Sequence, residues 1–366
     1  MRVSLAAAGT AGHIEPALAL ARWLKSEEPD IDCEFIGTSA ALDSSLMKAS
    51  GFTLHPITKA PFPRKLSLQG LLWPLRFTRS LREISRVIKG TDLIVGFGGY
   101  VCAPTYLVAR MKGIPVIIHE ANTKPGMANN LGRKLGATLS IAFASTGKID
   151  PRWAGATLVG MPIRDGVRKL AMASAQERDS IREAKARDWG FDPQQPIILV
   201  FGGSQGSRAI NSVISAILPQ TALAGIQIVH AVGNANALAS PTKNYLPLSY
   251  IADMPESMVA CDFAITRGGA VTCAELGILR TFAVIVPLAI GNGEQSTNAE
   301  ELTSQGAALA ISERNFTARY LSEHCISYVK AAADYRSKAV GPIFGVDADR
   351  RLGSLVLEKI KAGHRI

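Results

Sequence analysis

Two glycine-hinged stretches and one histidine carry most of the chemistry that this 366-residue sequence could perform. The longer stretch is Ile265-Thr266-Arg267-Gly268-Gly269-Ala270-Val271-Thr272-Cys273-Ala274-Glu275. Residues 263–266 form a short apolar run that suits a buried strand, Gly268-Gly269 breaks it, and Ala270 opens a helix. A strand, a glycine turn and a helix N-terminus converge backbone N–H groups and the positive end of the helix dipole, a setting for an anion. Glu275, one turn further in, can accept hydrogen bonds from vicinal hydroxyls such as those of a ribose. About twenty residues on, Gly291-Asn292-Gly293-Glu294-Gln295-Ser296-Thr297-Asn298 reads as a polar loop presenting the amides of Gln295 and Asn298. Together these groups suit a sugar nucleotide, although an ordinary βα turn with a surface glutamate has the same composition.

The histidine is His13. The loop Gly9-Thr10-Ala11-Gly12-His13 separates an apolar run over 3–8 from a helical segment over 14–24, with Pro16 tolerable in its first turn. The glycines are spaced G-x-x-G, and Glu34 falls inside a strand pattern, so the dinucleotide fingerprint is not met. A helix N-terminus disfavours imidazolium, so His13 is expected to be neutral near pH 7 and able to take a proton. Capping its own turn is the alternative role.

The elements that must position these groups alternate as in a parallel sheet. Strand-like runs at 93–97 and 116–120 end in Gly98-Gly99-Tyr100 and in His119-Glu120-Ala121-Asn122-Thr123, and a third run covers 139–143. Sites in open α/β sheets lie at the carboxyl ends of strands, so these clusters should share a cleft with His13. A second βα unit repeats the first: an apolar run over 196–201, Gly202-Gly203-Ser204-Gln205-Gly206, then a helix from about 207 to 218. The echo predicts two similar α/β domains, with Ser204 at a helix start where a diphosphate can be held. Further strands are expected at 226–232, 248–251, 263–266, 282–287 and 307–311, and helices at roughly 316–334 and 347–362. The last, with Leu352, Leu355, Val356 and Ile360 on one face, should pack back onto the first domain.

A hydrophobic content of 47% with 19% charged residues suits a folded α/β chain rather than a disordered one. The net charge of +10 favours anionic partners: nucleic acid, acidic lipid or phosphorylated substrate. Five scattered cysteines without a CxxC argue against a disulfide framework or a zinc site. The amino-terminal run is too short for a convincing signal peptide, and no apolar stretch has the length of a membrane span. Residues 61–90 hold seven basic residues and one acid, Glu83, among large apolar side chains. Leu72, Trp73, Leu75, Arg76, Phe77 and Arg79 form the kind of apolar face bordered by cations that lies on an anionic membrane. A core helix with a solvated basic face is the plainer reading.

Taken in order, Gly9 to His13, Gly98-Gly99-Tyr100, His119 to Asn122, Gly160-Met161-Pro162-Ile163-Arg164, Gly202 to Gly206, Arg267 to Glu275, and Gln295 with Asn298 resemble the MurG family of peptidoglycan glycosyltransferases, in glycosyltransferase family 28. The resemblance covers almost the whole chain. It implies an α/β GT-B fold: two Rossmann-like parallel-sheet domains facing across a cleft, 1–163 and 164–344, with a C-terminal helix in about 345–366 returning to the first. It implies inverting transfer of N-acetylglucosamine from UDP-GlcNAc to undecaprenyl-diphospho-MurNAc-pentapeptide (lipid I), giving lipid II. By position, Thr10, Ala11 and Gly12 would edge the donor diphosphate and sugar, and Asn122 would face the GlcNAc. Arg164 and Ser204 would take the diphosphate, and the Ile251 backbone would meet uracil. Ala270, Val271, Thr272, Cys273, Ala274 and Glu275 would hold phosphate and ribose, with Gln295 and Asn298 on GlcNAc. Gly98, Gly99 and Tyr100 would lie on the acceptor side. His13 would be the base, with His119 or Glu120 as alternatives.

The family's usual first loop is richer in glycine, so Ala11 here needs a negative φ; Met161 replaces an Asn, and Glu294 stands where a Gln is common. The resemblance implies no tightly bound cofactor, with magnesium at most stimulatory. It implies a peripheral protein on the cytoplasmic side of an anionic cell membrane, with other cell-wall synthesis proteins as partners and no nucleic acid. A diacylglycerol-type lipid glycosyltransferase and a non-catalytic nucleotide- or nucleic-acid-binding protein are the rival readings.

Overall fold

The computed structural model describes residues 1–40, 47–60, 73–203, 205–223, 225–234, 236–289, 292–338 and 341–363. Ser204 and Leu72 lie outside them. The chain divides into two units, Met1–Arg164 with Asp347–Ile366, and Asp165–Val346.

In the first unit, β1 (Arg2–Ala6), β2 (Asp32–Gly37), β3 (Thr53–Pro56), β4 (Leu93–Gly96), β5 (Val116–Glu120), β6 (Thr138–Ile141) and β7 (Thr157–Leu158) form a seven-stranded sheet in the order β3-β2-β1-β4-β5-β6-β7. All its pairings are parallel, with Val3 of β1 opposite Cys33 of β2 and Leu93 of β4. Helices α1 (Ala11–Glu27), α2 (Trp73–Val87), α3 (Cys102–Lys112) and α4 (Met127–Lys134) follow their strands. Both faces are covered, which is why the strands read as continuous apolar runs. Val3, Leu5, Val95 and Ile117 pack with α1 on one face, and Ile36, Ile94 and Ile118 pack with Ile84, Tyr106 and Trp153 on the other.

In the second unit, β8 (Ile197–Phe201), β9 (Gln227–Ala231), β10 (Tyr245–Leu248), β11 (Phe263–Thr266), β12 (Phe282–Ile285) and β13 (Ala308–Ala310) form a parallel sheet in the order β10-β9-β8-β11-β12-β13. Its helices include α5 (Ala175–Trp189), α6 (Arg208–Leu223), α7 (Met254–Ala260), α8 (Ala270–Leu279), α9 (Glu294–Thr303) and α10 (Ala318–Lys338). Ile198, Val200, Phe263 and Ile265 of the sheet pack against Ile210, Ile214 and Ile217 of α6 and Leu321, Cys325 and Tyr328 of α10.

The final helix, α11 (Ala348–Gly363), belongs to the first unit. Leu352, Val356 and Ile360 are buried in its core, each worth about 1.5–3 kcal/mol of burial, and Leu355 packs at the margin. Gly353 sits so close to the Trp23 ring that a Cβ there would collide with it.

Three expectations are corrected. The strand expected at 248–251 runs instead over Tyr245–Leu248, because Tyr245 and Pro247 pair with Ile228 and His230 of β9. Gln295 and Asn298 lie in the opening turns of α9 rather than on a loop. Helix α1 begins at Ala11, so Pro16 falls in its second turn and takes away the N–H that would bond the Gly12 carbonyl.

Candidate active site

Each sheet has a switch point where strand order reverses, between β1 and β4 and between β8 and β11. Ligands in such folds sit outside the carboxyl ends of those strands. In the first unit these ends carry Gly9-Thr10 with the first turn of α1, which holds His13, and Gly98-Gly99, and in the second Gly202-Gly203 and Arg267-Gly268-Gly269.

His13 is half-buried at the start of α1. Its Nδ1 lies 3.2 Å from the Ala8 carbonyl oxygen and 3.2 Å from Thr10 Oγ1. A carbonyl can only accept, so in neutral His13 the proton sits on Nδ1 and Nε2 is the nitrogen able to accept one. Gly98 and Gly99 have φ of +99° and +82°, and a Cβ on Gly98 would lie 3.1 Å from His13 Nε2. A Cβ on Gly99 would lie 2.6 Å from the Ala8 oxygen. Glycine is therefore required twice over, by dihedral angle and by the close approach of the β4 loop to the imidazole. Ala11 keeps a negative φ; among the described residues only Arg280 is a non-glycine with positive φ. The Tyr100 ring has Lys59 Nζ 5.7 Å from its centroid.

The two alternative bases are placed otherwise. His119 is fully buried, with Nε2 donating to the Gly160 carbonyl at 2.9 Å and its ring 5.5 Å from Phe97. Burial pushes its pKa down to about 4, so the ring is neutral near pH 7. Glu120, 2% exposed, accepts from Asn122 N (2.9 Å), Asn122 Nδ2 (3.2 Å), Gly126 N (2.9 Å) and Asn129 Nδ2 (2.8 Å). Burial raises its pKa and these four donors pull against the rise. Its lone pairs are committed to shaping the loop that carries Asn122, so Glu120 positions rather than takes a proton. Tyr106 donates to Asn129 Oδ1 at 2.9 Å and completes the network. Tyr106 and Asn129 carry no motif signal; their only trace in the sequence is glycine at 96 and 132, where a Cβ would strike the Tyr106 ring.

In the second unit, Cys273 N bonds the Gly269 carbonyl at 2.9 Å. The N–H groups of Ala270, Val271 and Thr272 thus precede the first intrahelical bond and are the ones an anion can use. Cys273 and Ala274 are fully buried in the first turns of the helix, and burial pushes the Cys273 thiol up to about 12. Glu275 is 3% exposed on the same helix. Ile251 is buried in the turn between β10 and α7. Arg164, half-buried, closes the first unit.

Gln295 and Asn298 brace this turn from α9. Asn298 Nδ2 donates to the Gly268 carbonyl at 3.1 Å, and Gln295 Oε1 accepts from Leu288 N at 3.0 Å. A Cβ on Gly268 would run into the Gln295 carbonyl oxygen, so the glycine lets α9 approach. Arg267, which the spacing left without a role, clamps the turn: it donates to the Val286 carbonyl (3.0 Å) and Ser207 Oγ (2.7 Å) and pairs with Glu313 (2.5 Å).

Outside these turns, α2 shows a basic surface. Leu75 is 68% exposed, Arg76 and Arg79 are exposed, and Trp73 stacks on Phe77 at 4.8 Å with Nε1 donating to the Ala60 carbonyl. The single acid, Glu83, turns toward Thr58 N and Oγ1 and Arg79. Burial would raise its pKa, but these bonds outweigh it and hold it below the usual range. Among the described residues no helix is long and apolar enough to cross a membrane.

Residues 3–138 match the family model of the glycosyltransferase family 28 N-terminal domain, and 197–339 that of its C-terminal domain. The chain belongs to glycosyltransferase family 28, and its two parallel-sheet units are those of a GT-B glycosyltransferase. A Streptomyces avermitilis protein named UDP-N-acetylglucosamine--N-acetylmuramyl-(pentapeptide) pyrophosphoryl-undecaprenol N-acetylglucosamine transferase is 36% identical over 100% of both chains. A Corynebacterium glutamicum protein of that name is 39% identical over 92% of each. The crystal structure of Acinetobacter baumannii MurG matches with a TM-score of 0.70 and 27% identity, over 98% of this chain and 99% of that one. A calicheamicin glycosyltransferase, 14% identical over 98% of both chains with a TM-score of 0.66, shares the fold alone.

Proposed function

We propose that this protein is an inverting glycosyltransferase that moves N-acetylglucosamine from UDP-GlcNAc to the MurNAc 4-hydroxyl of undecaprenyl-diphospho-MurNAc-pentapeptide, lipid I. The observation that carries the reading is the glycine-held imidazole of His13, tautomerically set by Ala8, at the switch point of a family 28 chain.

The acceptor O4 attacks C1 of the donor sugar as the bond from C1 to the β-phosphate oxygen breaks. The hydroxyl proton passes to His13 Nε2, and UDP leaves with the bonding electrons from the opposite face. Charge developing on the diphosphate is met by the N–H groups of Ala270, Val271 and Thr272, with Arg164 and Ser204 as further donors. Glu275 takes the ribose hydroxyls, the Ile251 backbone the uracil, and Asn122, Thr10, Ala11, Gly12 and Gln295 the diphosphate-sugar end. Gly98, Gly99 and Tyr100 face the acceptor. Magnesium has an auxiliary part at most, which chelation by EDTA would show as a modest loss of rate. The protein works at the cytoplasmic leaflet, with Trp73, Leu75, Arg76, Phe77 and Arg79 of α2 against anionic lipid.

The test is UDP release from UDP-GlcNAc with and without a lipid I analogue, and with diacylglycerol in its place. Release that requires the muramoyl acceptor supports the reading; release independent of it, or driven by diacylglycerol, overturns it.

A further inference from the structure

At the amino edge of the second sheet, opposite its glycine turns, four arginines line one cavity of about 260 Å³: Arg178 and Arg182 of α5, Arg280 at the end of α8, and Arg336 of α10. Two are tied to one carboxylate, that of Asp262, which sits 2.9 Å from Arg182 and 3.6 Å from Arg336. The other two have no carboxylate partner among the described residues. Arg178 donates only to the carbonyls of Ala173, Leu170 and Leu279, at 2.8–3.4 Å. Arg280 has a buried Nε with no partner. The one acid of the lining, Asp179, is exposed at the surface. Burial, then the charges of Arg280 and Arg336, bring the Arg178 pKa down to about 10, so the cluster repels itself.

Arg280 also stands where the backbone asks for something else. Its φ is +58°, and its N–H caps α8 through Leu276 O. Glycine is the residue such a left-handed cap favours, and a bulky side chain there costs about 1 kcal/mol. Two guanidiniums without a carboxylate, one of them kept at a conformational cost, need a counter-charge. The space is too small for a helix, which is about 10 Å across. Guanidinium forks match phosphate oxygens in geometry as well as charge.

We propose that this cavity is an anion site for a small phosphate or diphosphate group, separate from the glycine turns and gripped chiefly by Arg178 and Arg280, with Arg336 at its side. The anion relieves the repulsion and ties α5, α8 and α10 together behind the sheet.

The test is calorimetric titration of the full chain with inorganic pyrophosphate at fixed ionic strength, comparing wild type with Arg280→Gly. Glycine suits the cap, so the variant folds, and its basal transferase rate is unchanged. The expected result is a binding component in wild type whose Kd rises at least tenfold in Arg280→Gly, while any component at the glycine turns stays. Arg336→Gln, which leaves the α8 cap alone, should weaken the same component. Identical isotherms for wild type and both variants overturn the proposal, as they would if the arginines instead met an acidic segment of another protein.

Discussion

The two units share a strand order and a glycine turn after their first strand, yet the groups at matching positions differ in kind. After β1 comes a short loop and a helix start that carries His13, and after β8 a loop of Gly202, Gly203 and Gly206 with no titratable group. After β4 comes the bare pair Gly98-Gly99, and after β11 an arginine clamp precedes the glycines. The fifth strand's loop is pinned by a buried carboxylate in one unit, Glu120, and by a neutral amide in the other, Gln295. On the proposed reading one scaffold thus presents a proton acceptor beside a loop pinned by a buried carboxyl group, and its repeat presents N–H groups braced by amides and an arginine. Fold places both sets, and in the proposed function side-chain chemistry divides proton transfer from anion binding.

Removing the acceptor should break the comparison most sharply. His13→Ala is expected to lower kcat for UDP release about 10²–10⁴-fold, the usual reach of a general base, with the donor KM little changed. A variant with the wild-type rate would move the base elsewhere.

Acid separates the units less. His119 and His230 are both buried, and burial lowers each to about 4 from an ordinary 6.5. The unfolded chain binds the proton first, so each contribution is intact above pH 6.5 and is lost as pH falls toward 4, by up to about 3 kcal/mol per histidine. The raised pKa of Glu120 works in the opposite sense. Urea unfolding between pH 7 and 4 should show the loss in both units. His119→Phe should flatten it for the first alone, at a lower overall stability because Gly160 loses its donor.

The brace itself comes next. Glu120→Gln turns an N–H₂ toward N–H donors that now meet a carboxylate, and should cost the first unit about 2–3 kcal/mol by urea unfolding. If stability is unchanged, the carboxylate is not what holds the Asn122 loop.

Much of this plan is legible in the sequence because glycine and apolar runs are local signals. The turns at 9–13, 98–99, 202–203 and 268–269 announce themselves, and the strands beside them are buried on both faces. What could not be read depends on partners distant in the chain. His119 and Glu120 look like bases until Gly160, 41 residues away, and Asn129 are seen to engage them. Cys273 and Ala274 lie in the right motif but past the turn where N–H groups are uncommitted. The Arg280 cluster draws on three helices between 178 and 336, and no linear pattern gathers them.

The smallest expected effect divides the units by kinetics. Gly98→Ala and Gly268→Ala each put one methyl group where another element stands, against His13 Nε2 in the first case and the Gln295 carbonyl in the second. Gly98 carries the added cost of a φ of +99°, about 1–2 kcal/mol for a side chain with a Cβ. Displacing the imidazole disturbs proton transfer, so Gly98→Ala should lower kcat with the UDP-GlcNAc KM nearly constant. Displacing α9 opens the turn proposed to hold the diphosphate, so Gly268→Ala should raise the UDP-GlcNAc KM and weaken UDP binding, with the larger share of the effect in KM. Steady-state kinetics on the two variants decide it. If both act on kcat alone, the division of labour between the repeats is wrong, whatever the similarity of their folds.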